Sequence, residues 1–187
     1  MQPISRRFVT LGGIAALGVS AACSNAVGTS GAETIDARVA ATLEFLEANY
    51  PGTRELRERS QGMLVMPLLT EAGFLTIGGT YGRGALVIGD TVVDYYSATK
   101  AEVGPQLGAQ QYSHVLFFMT PEALADFRTS PGWVAGADLT YAFSAEGQTF
   151  MTDTTTVTTP VVAVVFGQTG LIVGATLGGT KYTRIIP

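Results

Sequence analysis

The sequence predicts an α+β, β-rich fold: an antiparallel sandwich or partly closed barrel of about ten short strands, with an N-terminal helical segment and one inserted helix. Three observations carry this expectation. From residue 62 onward, short apolar runs alternate with glycine or polar turns, which is the texture of antiparallel strands. Before that point Ile35, Val39, Leu43, Leu46 and Tyr50 recur every three or four residues, the period of a helix with one apolar face. Between two strand-like runs, Thr120-Pro121-Glu122 opens a further helical pattern that Pro131-Gly132 stops. The 187 residues, 47% hydrophobic and 14% charged, are enough for one domain with its own core.

Taken in order, residues 1–22 read as an export signal. Arg6 and Arg7 form a positive start, 8–22 is apolar, and Ser20-Ala21-Ala22 is a small-residue cleavage context. At about 15 residues the apolar run falls short of the roughly 20 that span a bilayer as a helix. Ser5-Arg6-Arg7-Phe8-Val9 resembles a twin-arginine signal, with Thr10 in a place where that signal has a hydrophobic residue, so the general export route stays open. Cys23, the single cysteine, directly follows the small residues. Bacterial lipoproteins carry there the thiol that receives diacylglycerol, and lipid attachment at Cys23 is the expectation. Ser20 departs from the usual aliphatic residue, and ordinary cleavage leaving a free N-terminal cysteine is the alternative. The lone thiol excludes a disulfide within the chain.

Residues 23–32 are small, polar and glycine-containing, as a flexible tether would be, and 33–187 are expected to form a single domain. Without its signal the chain keeps nine basic residues against 15 acidic ones, a formal charge of −6, which argues against nucleic acid as a partner. Thr34 is the expected N-cap of the first helix, which Pro51-Gly52 ends, and 53–60 forms a second, charged helix. That first helix either packs its stripe on the sheet or lays it on a membrane surface. Strands are expected at 63–69, 74–80, 85–89, 91–97, 104–110, 113–119, 136–144, 161–167, 171–177 and 181–185.

Within this series the stretch 72–90, AGFLTIGGTYGRGALVIGD, reads as a twisted hairpin in which 74–77 faces 85–88 across glycines free to take positive φ. A sharper reading is a phosphate cradle of backbone N–H groups with Gly79, Tyr81 and Arg83 as ligand-binding residues. No P-loop lysine follows the glycines, and no helical pattern starts there. His114, the only histidine, lies in the apolar run SHVLFFM and reads as structural, so neither a histidine metal site nor a histidine relay can be assembled. No nucleophile elbow, Walker or Rossmann fingerprint is present, and the sequence offers no catalytic residue, metal ligand or cofactor motif. Asp90 and Asp153 fall at turn signals, and Asp138 in a strand is either a ligand or a surface residue. Tyr95, Tyr96 and Trp133 read as sheet-face and core aromatics.

AGF at 72–74, GGTYGRGAL at 78–86, DYYS at 94–97, GPQLGAQ at 104–110, MTPEALADFR at 119–128, GW at 132–133, DTTT at 153–156, PVVAVVFG at 160–167 and LGGTKYTRI at 177–185 stand in one order. Together they resemble the SYLF domain family, also called the Ysc84 actin-binding domain, in its bacterial exported lipoprotein form. Glu71 stands where that family commonly has a lysine. The resemblance implies a non-catalytic domain that binds lipid or supports membrane integrity. Its eukaryotic members bind phosphoinositides with the help of a basic N-terminal segment; residues 34–60, the corresponding segment here, are less basic. Actin is not an expected partner of an exported bacterial protein.

The expected setting is periplasm-facing, with the Cys23 anchor in the outer membrane. The stripe Ile35, Val39, Leu43 and Leu46 is a second candidate lipid contact, and any protein partner is unspecified. A scaffold contacting another envelope protein is the alternative. So is an enzyme assembled from dispersed carboxylates and hydroxyls, which two converging carboxylates with perturbed pKa values would favour.

Overall fold

The computed structural model describes residues 30–136, 139–143, 159–170 and 177–187. Cys23, Arg6, Arg7, Asp138, Asp153 and most of the strand expected at 171–177 lie outside them. The chain runs α1 (Ser30–Asn49), α2 (Gly52–Arg59), β1 (Gly62–Ile88), β2 (Thr91–Phe118), α3 (Pro121–Thr129), β3 (Trp133–Val134), β4 (Leu139–Phe143), β5 (Val161–Gly170) and β6 (Lys181–Ile185). This is the predicted α+β, strand-rich class, built with fewer and much longer strands. One curled sheet has the order β3-β6-β2-β5-β4, with β1 on the other side of β2. Its pairs are antiparallel except β4–β5, which is parallel.

The hairpin expected inside 72–90 does not form. Residues 74–77 and 85–88 belong to the same 27-residue strand, and β1 pairs with β2 from Gly62↔Phe118 to Ile88↔Thr91. The turn is at Gly89-Asp90, where Gly89 takes φ 61°. The glycines of GGTYGRG do not reverse the chain; they sit in the ladder opposite residues 96 to 102 of β2. None of Gly79, Gly82 and Gly84 has positive φ. What fixes two of them is space. A Cβ at Gly84 would lie 2.0 Å from the carbonyl oxygen of Val65, and one at Gly82 would lie 2.6 Å from that of Leu68. Gly62 in turn faces Val87 and Ile88. β1 therefore doubles back on itself about residue 75, and its two halves meet backbone to backbone.

The strand period sorts side chains into two cores. Leu64, Met66, Leu86, Tyr96, Leu116 and Phe118 face one cluster, plugged by Phe127 of α3, whose ring lies 4.7 Å from Tyr96 and 4.8 Å from Phe118. Trp133 packs against this cluster, as its reading as a core aromatic requires. Met63, Val65, Ala85, Val87, Val115 and Phe117 face the other, and α1 covers it with Ile35, Val39 and Leu46. α1 thus spans both halves of the doubled strand.

α3 begins as its sequence predicts, with Thr120 Oγ1 accepting from the Ala123 N–H at 3.2 Å. α1 starts earlier than expected. Ser30 to Ala32, assigned to the tether, are helical, and Ala32 is buried. Thr34 is no cap; its hydroxyl donates to the Ser30 carbonyl one turn back at 2.7 Å. Arg57 of α2 pairs with Glu47 of α1 and, at 2.8 Å, with Asp90 of the turn, tying three elements together.

A testable consequence is that Gly84→Ala lowers stability by about 1–3 kcal/mol, because its methyl would run into the Val65 carbonyl oxygen and the Met66 backbone as well as the Met66 sulfur, and the backbone atoms cannot step aside. Gly79→Ala, whose added carbon would meet a single carbonyl at 3.3 Å, should cost under about 1 kcal/mol. Urea denaturation midpoints of the two variants check the ranking.

Candidate functional site

Along β1 the alternation of buried and exposed residues fails between Ala72 and Ile77, where neighbours of both parities are open to solvent. The doubled ribbon leaves the body of the sheet there. Leu75 sits at the apex with φ 57°, the one non-glycine residue with positive φ among those described, and the register slips between Leu75 and Ile77. The bend presents Phe74, Leu75, Ile77 and Val103 at 68%, 65%, 72% and 90% exposure. Four large apolar side chains so exposed on one projection form a patch of the kind that marks a contact surface.

Beside the bend, α1 and β1 enclose a cleft of about 450 Å³ whose walls include Thr34, Arg38, Leu68, Thr70, Tyr81 and Arg83. Arg38 and Arg83 form no ion pair with any described residue. The structure therefore joins two of the predicted ligand-binding residues, Tyr81 and Arg83, with an arginine from α1 that was not among them. Gly79 lies outside the cleft walls. Its N–H belongs to a strand ladder opposite Ala101, so the phosphate cradle of successive glycine amides is not built. Ile35, Val39 and Leu46 are buried against the sheet and Leu43 packs with them, which leaves that stripe no face for lipid.

Inside the bend lies a polar cluster that sequence reading missed. The Gln110 amide donates to Glu71 Oε2 at 3.2 Å, and Lys100 pairs with Glu102. Burial pushes the Glu71 carboxyl above its ordinary range, and the Glu102 carboxylate pushes it further; the Gln110 bond and the Lys100 charge offset part of this. Thr80 Oγ1 and Gln110 Oε1 are buried and find no hydrogen-bond partner among the described residues. The pairing register is the reason for the convergence: residue 71 faces 110, 78 faces 102 and 80 faces 100, and the doubling brings the two arms together. Glu71 stood out in sequence only as a departure from the family's lysine.

A second ion cluster joins three of the sequence pieces. Asp94, buried, accepts from Arg184 and, at 3.5 Å, from Arg128, linking DYYS of β2, the end of α3 and the TRI of β6. His114 is fully buried and shares a 2.9 Å hydrogen bond with the Tyr182 hydroxyl, so it occupies the structural place expected of it. Among the described residues no group of three acidic, histidine or cysteine side chains could hold a metal ion, and no helix is long and apolar enough to cross a membrane.

A curled sheet covered by one helix, with an apolar bend projecting from it, defines a strand-rich domain organised for binding. Residues 99–184 match the family model described as "Ysc84: Las17-binding protein actin regulator", so that this part of the chain is similar to a Ysc84 (SYLF) domain. The match takes in β2 from Thr99 onward and runs to Arg184 within β6; β1, with the sequence pieces AGF and GGTYGRGAL, lies before it. No curated protein matches the chain.

Desolvation holds the His114 ring unprotonated down to about pH 3, below its ordinary 6.5. Its folded pKa being the lower one, the stability it contributes is whole above pH 6.5 and is lost as pH falls toward 3. Between pH 7 and pH 4, wild type should lose about 3 kcal/mol more than His114→Gln. Urea titrations of both proteins at the two pH values measure the difference.

Proposed function

We propose that the chain is a lipoprotein of the bacterial cell envelope, exported by its N-terminal signal and anchored through Cys23, whose Ysc84 domain binds membrane lipid without catalysing a reaction. The observation that carries this reading is the exposed apolar bend of Phe74, Leu75, Ile77 and Val103. Inserting each such side chain into a bilayer interface contributes about 1.5–3 kcal/mol, so two or three are enough for measurable adhesion once an anchor holds the domain at the surface. Arg38 and Arg83 beside the bend offer donors to an anionic headgroup and add to the attraction.

With a formal charge of −6 on the mature chain, bulk electrostatics oppose anionic membranes, and apolar insertion dominates. The family description names Las17 binding and actin regulation; an exported bacterial chain meets neither partner. Glu71 and Glu102 are the converging carboxylates an enzyme would need. Gln110 and Lys100 already engage them within the bend, however, which favours binding over catalysis.

Two outcomes test the proposal. Cys23→Ala should move the protein from the membrane to the soluble fraction of fractionated cells; retention to the same extent would remove the anchor from the account. The domain without Cys23 should co-sediment weakly with phosphatidylcholine vesicles and keep doing so in about 0.5 M salt, where the Debye length is roughly 4 Å. Phe74→Asp with Ile77→Asp should abolish that binding, whereas Arg38→Ala with Arg83→Ala should weaken it less. Binding confined to anionic vesicles and lost in salt would instead assign the contact to the arginines.

A further inference from the structure

The cleft between α1 and β1 holds positive charge that the fold does not neutralise. Among the described residues, Arg57, Arg59, Arg128 and Arg184 each pair with a carboxylate, while Arg38, Arg54 and Arg83 pair with none. Two of those three, Arg38 from α1 and Arg83 from β1, stand in the walls of this one cleft, and no aspartate or glutamate lines it. In a chain with 15 acidic residues against 11 basic ones, such a site is clear of the groups that would otherwise occupy it. Hydroxyls make up much of the remaining wall. Thr34 Oγ1 donates its proton to the Ser30 carbonyl at 2.7 Å and keeps lone pairs that can accept, while Thr70 Oγ1 accepts from the Gln111 amide at 3.4 Å and keeps a proton that can donate. Tyr81 is 55% exposed, so part of its ring is open to a ligand.

We propose that this cleft binds an acidic sugar: a ring whose carboxylate accepts from Arg38 and Arg83, whose hydroxyls meet Thr34 and Thr70, and whose apolar face rests on Tyr81. Each part of the wall answers one part of the ligand. A guanidinium presents parallel N–H donors to a carboxylate, and two threonines with opposite free roles suit hydroxyls that both donate and accept. The C–H face of a sugar ring is apolar and loses water against the aromatic side chain. At about 450 Å³ the cleft falls in the range of roughly 300–1,000 Å³ that receives small organic ligands. A single negative charge suits this chain as well. Two guanidiniums balance a monoanion within a mature chain of formal charge −6, whereas a phosphate monoester would bring further negative charge into the same field. The site goes beyond the membrane contact, because none of Phe74, Leu75, Ile77 and Val103 lines the cleft and the two surfaces can be occupied independently.

Titration of the isotope-labelled Cys23→Ala protein with D-glucuronate, followed by NMR, tests the cleft. The side-chain N–H signals of Arg38 and Arg83 and the amides around Leu68, Thr70 and Tyr81 should shift to saturation together. D-glucose, which lacks the carboxylate, and acetate, which lacks the ring, should each bind about tenfold or more weakly, because each forgoes one of the two main contacts. Tyr81→Ala should weaken glucuronate about tenfold and leave acetate unchanged, while Tyr81→Phe keeps the ring and most of the affinity. Arg38→Ala with Arg83→Ala should remove glucuronate binding; both side chains are exposed, so the variant keeps its fold. Equal affinity for glucuronate and acetate would make the cleft a plain anion site and overturn the proposal. Tighter binding of glucose 6-phosphate than of glucuronate, or shifts that never saturate, would overturn it too. Phosphatidylcholine co-sedimentation with and without saturating glucuronate is the second arm, and equal binding in both supports two separate surfaces. Vesicle binding without glucuronate binding overturns the cleft alone. Glucuronate binding in a protein that binds no vesicles overturns the membrane reading alone.

Discussion

A 27-residue strand at about 3.3 Å per residue would extend roughly 90 Å, while a folded domain of this size is on the order of 40 Å across. β1 and its partner β2 cannot both stay straight and bury their apolar faces, and the chain resolves this by folding the ribbon double. The fold closes only because Gly82 and Gly84 let one half of β1 lie against the backbone of Leu68 and Val65 in the other. Everything else is arranged around that contact. α1 lies over both halves from outside, Phe127 fills the inner side, and no described residue covers those at the crease.

Charged side chains then fix the angles between elements that apolar packing alone leaves loose. Arg57 holds α1, α2 and the Gly89-Asp90 turn together, and Asp94 gathers α3 and β6 through Arg128 and Arg184. The two differ in kind. Asp90 is exposed, so its pair with Arg57 adds little beyond orientation, whereas the Asp94 carboxylate is itself buried and would be an uncompensated charge without the two partly exposed arginines that reach it. Three of the separated sequence pieces that resemble the family thus converge on one carboxylate, which gives those residues a structural reason to occur together.

The sequence disclosed what local chemistry determines. The Thr120-Pro121 start of α3, the Gly89-Asp90 turn, the burial of His114 and the packing stripe of α1 were all readable, because each depends on a cap, a turn residue or a period. Strand length was not readable. Glycine and alternating apolar residues mark a turn and a close-packed strand equally well, and only the partner across the sheet decides between them. In GGTYGRG that partner is β2 over the whole length, with the other half of β1 supplying the close contact. The polar cluster was illegible for the same reason: Glu71 and Glu102 lie 31 positions apart, and only the doubling brings them together.

The crease also accounts for the distribution of polarity in the site. A ribbon folded double must turn some residues of both parities outward, and in an ordinary domain those positions carry charge or turn residues that water can satisfy. Here they carry Phe74, Leu75, Ile77 and Val103, while the ionisable groups Glu71, Lys100 and Glu102 point inward. Polarity is inverted relative to a solvent-facing loop, and both halves of the inversion cost stability when the bend stands in water. Contact of the outer side chains with an apolar surface would remove the first cost, while the Gln110 hydrogen bond to Glu71 and the Lys100–Glu102 ion pair offset part of the second. Four exposed apolar side chains at a crease that water cannot satisfy thus favour contact with an apolar partner surface over free exposure.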